Sequence, residues 1–445
     1  MLFLFCFDWL EFNKEQVWQN CVFQMRNKMK FTDLFALMRI IKTMVFGIIT
    51  GHFSFRFGKV KEKAKTMTSQ MYAISRAIRS LLAHPEFTVY RFRLISWPVD
   101  IISEIVIYFQ MDCYAEVELG REDTGNMHYV AIRSGNKTSY YFQSEHITPS
   151  PSCHWNIPNI VLEMGHEMYW SDSEFNVHAS PNRAKFSCKV LTPKSKSIPQ
   201  VKKWLFYCPG GAFMHHNVHL LPRLNKMFPD HGICFVKYSL LPEAQYPQPV
   251  VDTLDAYHFM TEILNINHAD IAIISDSAGG NIVLDFLIAA RQNKLKLPSC
   301  CVFISPWSDL SFSGQSLLDH QHIDYLDRDL RAQELLSFYC GIDFKHPEAA
   351  LTLAHPHFSP VYADLSHFPP ILIHSGSHEG LLNDNELLYQ NLLNHGNHVT
   401  MTIFPNMVHI FQCYPLKESK ESLEQIVIFI SQNTPVSLSI SNVPN

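Results

Sequence analysis

Beyond about residue 180, short apolar runs alternate with longer stretches whose apolar positions recur at helical spacing. The short runs predict strands at Ala184–Leu191, Trp204–Tyr207, Ile233–Tyr238, Ile271–Ile274, Cys301–Ile304, Ile371–His374 and Thr400–Phe404. The longer stretches predict helices at Val250–Leu264, Ala278–Asn293, Leu330–Tyr339, Asn383–Asn394 and Glu418–Gln432. Such alternation implies an α/β chain with a mostly parallel sheet and crossover helices on both faces.

The first 110 residues follow another pattern. Met1–Leu10 is apolar except for Asp8, and Phe31–Phe57 is largely apolar but interrupted by Asp33, Arg39, Lys42 and Arg56. The uncharged run Thr43–Phe55 falls short of the roughly 20 apolar residues that cross a bilayer. Basic side chains near the ends can snorkel, so a tilted span over 34–55 is expected as a membrane anchor. An amphipathic helix lying on a membrane or covering the core fits the same residues. Lysines and arginines flank both sides and set no orientation. Met1–Leu10 has neither the basic start nor the small-residue cleavage site of a signal peptide. The chain therefore divides into an N-terminal region with possible anchor and cap helices (1–110), a cap or linker region with the first strands (111–183), a main domain (184–435) and a tail (436–445). Asn136-Lys137-Thr138 is a glycosylation sequon, with meaning only inside the secretory lumen.

Composition narrows the classes. At 47% hydrophobic and 17% charged residues, the 445-residue chain is globular with a well-filled interior. A formal net charge of −5 gives no reason to expect nucleic acid as a partner. The 11 cysteines contain no C-x-x-C pair, and the neighbours Cys300 and Cys301 sit on a predicted strand facing opposite sides. Buried free thiols are the expectation. The 24 histidines include no H-E-x-x-H; His374 and His378 are separated between a strand and its following loop, so no metal site is expected.

One serine stands out. In Ile273-Ile274-Ser275-Asp276-Ser277-Ala278-Gly279-Gly280 an apolar strand runs into a serine with small neighbours, and a helix follows. A serine hydroxyl is a nucleophile only when it stands clear of the backbone within reach of a base, and a sharp strand–helix turn provides that exposure. Three partners complete the chemistry. Gly210, Gly211 and Ala212 follow the Trp204–Tyr207 strand and can bring backbone N–H groups to an oxyanion, with the Ala278 N–H completing the hole. Glu379 follows the Ile371–His374 strand as the orienting acid, with Asp384 on the same loop as the alternative. His409, after the last strand, is the candidate base. Asp276 points away from a turn of this kind and reads as structural, as do Glu243 and Asp252.

These residues stand in several motifs in register over about 184–432, and here the chain resembles the hormone-sensitive-lipase branch of the α/β-hydrolases. Gly210-Gly211-Ala212-Phe213 is similar to the branch's HGGG/HGGA motif, and Ser275–Gly280 to its G-D-S-A-G-G motif. Tyr238-Ser239-Leu240-Leu241-Pro242-Glu243 with Tyr246-Pro247, Ser305-Pro306-Trp307-Ser308-Asp309-Leu310, and Asn406-Met407-Val408-His409 match further segments. Two positions depart: Pro209 stands where the branch has a histidine that braces the oxyanion loop, and Ser275 where it has glycine. The Gly376–Gly380 loop and the apolar N-terminus look most like fungal steryl acetyl hydrolases. The resemblance implies an α/β-hydrolase fold with a helical cap, part of it from His320–Gly341. It implies serine ester hydrolysis through an acyl-enzyme, without a cofactor, on an apolar ester such as an acetylated sterol. It also implies single-pass attachment to the endoplasmic reticulum membrane with the catalytic domain luminal. A general lipase or carboxylesterase, and a non-catalytic ligand-binding relative of the fold, are the alternatives.

Overall fold

The computed structural model describes the backbone of 113–121 and 127–131, and residues 187–434 apart from 194–195, 197, 242–243, 327–329 and 343–348. The expected anchor (34–55), the N-terminal cap, the sequon at Asn136 and the loop residue Glu243 lie outside these. Among the described residues, no helix is long and apolar enough to cross a membrane.

Nine strands form one sheet in the order β2-β1-β3-β5-β4-β6-β7-β8-β9. They are β1 (Cys113–Arg121), β2 (Met127–Ala131), β3 (Ser187–Pro193), β4 (Trp204–Cys208), β5 (Gly232–Lys237), β6 (Ile271–Asp276), β7 (Cys300–Ile304), β8 (Ile371–Gly376) and β9 (Val399–Phe404). The pairings β2–β1, β1–β3 and β3–β5 are antiparallel, and β4 through β9 run parallel with β5. Each predicted strand is present, with ends that coincide or are displaced by at most three residues.

The helices are α1 (Leu221–Met227), α2 (Gln248–His258), α3 (Ala278–Gln292), α4 (Ser316–Asp319), α5 (Leu330–Cys340), α6 (Ala349–Leu353), α7 (Leu382–Asn394) and α8 (Lys417–Asn433). The predicted helix to Leu264 is α2 followed by a π turn at Phe259–Ile263.

Every residue of β4, β6 and β7 is buried, because helices cover both faces of these central strands. One face packs Phe206, Ile273, Cys301 and Phe303 against Leu254, Ile282, Phe286 and Leu388 of α2, α3 and α7. The other packs Leu205, Ile274, Cys300 and Val302 against Leu224 of α1 and Leu423, Ile426 and Ile430 of α8. The three α8 residues recur at spacings of three and four, the stripe by which a surface helix docks. Cys300 and Cys301 do face opposite sides, and the described cysteines are free thiols.

This order places the chemistry. From β4 the chain moves outward to β5, then returns past β4 to β6, so the crevice at the carboxyl ends of β4 and β6 is the switch point of the sheet. Cys208 pairs with Ser275 across it. The Gly210–Phe213 loop is thereby laid beside Ser277.

Candidate active site

Ser277 joins β6 to α3 with φ 50° and ψ −123°, a backbone conformation that costs a non-glycine residue about 1–3 kcal/mol. Burial of one β6 isoleucine, about 1.5–3 kcal/mol, offsets a strain of that size. The turn is tied at both ends: the Ser277 N–H donates to the Ile304 carbonyl at 3.0 Å, and the Ser277 carbonyl accepts from Gly280 and Trp307. Small neighbours are compulsory. A Cβ on Gly279 would lie 2.3 Å from the Cys208 carbonyl oxygen, and one on Gly280 would lie 2.5 Å from Pro306 Cβ. Ser275, by contrast, lies in regular strand, where glycine's conformational freedom is not needed; its hydroxyl is buried without a partner.

His409 comes from the loop after β9. Its Nε2 lies 2.9 Å from Ser277 Oγ, although the two residues are 132 positions apart. The next residue, Ile410, takes left-handed φ 46° and turns the chain sharply there. Burial pushes the His409 pKa down to about 3, so the imidazole is neutral at ordinary pH and free to accept a proton.

Glu379 is fully buried in the loop after β8. Its Oε2 accepts from Ser305 Oγ (2.6 Å) and the Gly376 N–H (3.0 Å), and its Oε1 from Ser375 Oγ (2.7 Å) and Asn385 Nδ2 (2.5 Å). Burial pushes its pKa up to about 7, against the pull of these donors. None of the four bonds goes to His409, whose Nδ1 is buried without a partner. The structure thus joins serine to histidine, and holds the glutamate next to them on other groups. Ser305 links the two sites, since its Oγ also accepts from the Ile410 N–H at 3.3 Å. Asp384 is not joined to His409 either. Both its carboxylate oxygens are unpartnered, with Oδ1 over Gly314, and burial with Asp309 and Glu379 nearby pushes its pKa well up.

Gly210 packs against Asp276, since a Cβ there would lie 2.6 Å from Asp276 Oδ2, and its amide lowers the Asp276 pKa against burial. The N–H groups of Gly211, Ala212 and Ala278 make no hydrogen bond among the described residues. Gly211 needs its glycine: φ is 127°, and a Cβ would meet the His215 carbonyl oxygen at 2.0 Å.

Asp276 underpins this loop from below. It accepts from Tyr207 Oη (2.8 Å) and Asn217 Nδ2 (3.0 Å), and burial raises its pKa to about 6. At Pro209, where the resemblance has a histidine, the backbone carbonyl accepts from Tyr238 Oη at 2.9 Å. Asp252 anchors the following segment by accepting from the Ser239 N–H at 2.7 Å. Sequence reasoning missed Ser305, Ser375 and Asn385. Ser305 lay within a segment noted for its resemblance, but serine and asparagine carry no pattern that marks them as carboxylate partners.

Comparison with known proteins gives the family. The chain belongs to the α/β-hydrolase-fold family, whose profile matches residues 205–413, and it is a carboxylic ester hydrolase of the serine esterase/lipase type. It is 30% identical over 237 residues to an acetyl-hydrolase of Streptomyces hygroscopicus, covering 52% of this chain and 76% of that protein. It is 27% identical over 239 residues to an esterase of Acinetobacter venetianus, covering 53% and 76%. Among solved structures, a hormone-sensitive lipase from a metagenome library superposes with a TM-score of 0.50 at 28% identity, covering 56% of this chain and 82% of that one.

Proposed function

We propose that the chain removes a short acyl group, acetate foremost, from an apolar alcohol, with Ser277 as nucleophile, His409 as general base and Glu379 as orienting acid. The observation that carries the reading is the 2.9 Å contact between Ser277 Oγ and His409 Nε2 at a strained strand–helix turn. His409 Nε2 takes the hydroxyl proton as Oγ attacks the ester carbonyl. The Gly211, Ala212 and Ala278 N–H groups receive the developing oxyanion. His409 then returns the proton to the leaving alcohol, and water repeats the sequence to release the acid and free Ser277. Glu379 supports the imidazolium once its carboxylate turns from Ser305 towards Nδ1.

Three features favour the acetate of an apolar alcohol. Phe213, directly after the oxyanion loop, stacks on Tyr339 at 3.7 Å and on Trp307 at 6.0 Å, and the Trp307 backbone N–H donates to the Ser277 carbonyl, so this cluster adjoins the Ser277 turn. The Streptomyces relative's name supports acetate as the acyl group. The likeness of the acid loop to steryl acetyl hydrolases supports a sterol as the alcohol. Attachment to a membrane belongs to the same proposal and rests on residues 34–55. A second reading, a general carboxylesterase or lipase, is favoured by the Acinetobacter relative's name and uses the same residues.

The test is hydrolysis of a p-nitrophenyl ester series and of cholesteryl acetate, by wild type and by Ser277→Ala. The substitution is expected to reduce kcat by at least about 10⁴-fold with Tm unchanged. Acetate preferred over longer chains, with turnover of cholesteryl acetate, supports the sterol reading. Broad chain-length use without sterol turnover supports the second. Equal inactivity of wild type and variant on every ester would remove the catalytic reading and leave a ligand-binding protein.

A further inference from the structure

We propose that Asp324 and Tyr325 form a positioning clamp that sets the spacing of Glu379 and His409; this rests on the reading of those two residues as acid and base. The clamp lies between β7 and α5, in a stretch whose sequence predicts cap. Asp324 is fully buried and faces backbone N–H groups from two distant loops. Its Oδ2 accepts from the Gly380 N–H at 2.6 Å, directly beside Glu379. Its Oδ1 accepts from the His409 N–H at 3.3 Å, and from the Tyr325 N–H at 2.8 Å. Tyr325 Oη donates to the His409 carbonyl at 2.7 Å. Two consecutive residues therefore hold both backbone polar groups of the base and the amide that follows the acid.

The same segment grips the acid loop twice more. His320 Nδ1 lies 3.0 Å from the Glu379 carbonyl, and Ser316 Oγ donates to the Gly380 carbonyl at 2.6 Å. The need for such a device is visible in the site: Glu379 and His409 share no hydrogen bond, so their own contact does not fix their separation. A carboxylate suits the task because it accepts on two oxygens at once. Asparagine of the same shape accepts on one and presents N–H to the other donor. Asp324 touches no reacting atom, so it acts through the two loops.

The experiment measures kcat and KM for p-nitrophenyl acetate with the full chain. The variants are Asp324→Asn, Glu379→Gln, their double variant, Tyr325→Phe and Ser277→Ala. Asp324→Asn is expected to lower kcat about 100-fold with KM within about threefold, since misplacement of catalytic groups costs rate rather than binding. In the Glu379→Gln background the same substitution is expected to cost less than about fivefold, because the acid it positions is already lost. An equal loss in both backgrounds, or no loss, would overturn the clamp. If Asp324→Asn does not fold, Tyr325→Phe decides: a kcat lowered about fivefold at unchanged KM and Tm supports the clamp, and an unchanged kcat refutes it. Ser277→Ala turning over at the wild-type rate would instead remove the reading on which the clamp stands, whatever Asp324 does.

Discussion

The Ser277 turn and the Glu379 loop sit at the ends of β6 and β8, two strands apart in one sheet, yet they are built by opposite means. Ser277 is placed by backbone. Its strained φ/ψ is enforced by glycines whose Cβ positions are already occupied by Cys208 and Pro306. Glu379 is placed by side chains, through Ser305, Ser375 and Asn385, and by one backbone amide. Steric placement leaves one conformation. Hydrogen-bond placement leaves exchangeable partners, and Glu379 is in fact bound to groups other than His409. Ser277 is thus fixed by sterics, whereas Glu379 is held by hydrogen bonds.

The largest test of this contrast is Gly279→Ala. Its Cβ would meet two backbone oxygens, of Cys208 and Pro209, at 2.3 and 2.7 Å, and backbone gives way less easily than a side chain. We expect a loss of about 3 kcal/mol or more in unfolding free energy by denaturant titration, and kcat at least about 10³-fold lower. A stable, active variant would show that the turn is not sterically locked.

Glu379→Gln comes next, with an expected loss of about 10²- to 10³-fold in kcat, measured on p-nitrophenyl acetate. Its pH profile sharpens the comparison further. Glu379 must be anionic to support an imidazolium, and burial raises its pKa to about 7. The sign follows: kcat/KM rises with pH between about 6 and 8, because deprotonation produces the working form. His409, pushed down to about 3, stays neutral across that window. The rise should vanish in Glu379→Gln. If it persists, another group titrates there and the assignment of the limb to Glu379 fails.

The smallest effect belongs to Tyr238→Phe, which removes one hydroxyl from beneath the oxyanion loop. The lost bond to the Pro209 carbonyl corresponds to about 1 kcal/mol, roughly a fivefold fall in kcat at constant KM. No change in rate would mean that Asp276 and Asn217 support the loop without it.

Much of this was legible in the residues. Apolar runs such as Ile271–Ile274 and Cys301–Ile304 predicted the central strands, since a strand buried on both faces must be apolar throughout. Ser277 was legible because the turn demands small residues at fixed offsets, and sterics of that kind leave a local pattern. Asp276 was legible as structural by the same geometry. Less was legible where burial depends on distant partners. Gly210 read as an oxyanion donor, and only the fold shows that it packs against Asp276. The hydrogen bond on the Pro209 carbonyl comes from Tyr238, 29 residues away.

The sequence by itself determined the order of elements, the sheet's parallel character and the identity of the strained serine, because alternation, periodicity and small-residue turns are properties of neighbours in the chain. Tertiary structure alone decided which hydroxyls and amides surround Glu379, that Asp324 spans to residues 56 and 85 positions away, and that His409 meets Ser277. The physical reason is range. Sterics act between adjacent residues and are written locally, whereas a buried hydrogen bond pairs whichever donor and acceptor the packed sheet brings within about 3 Å.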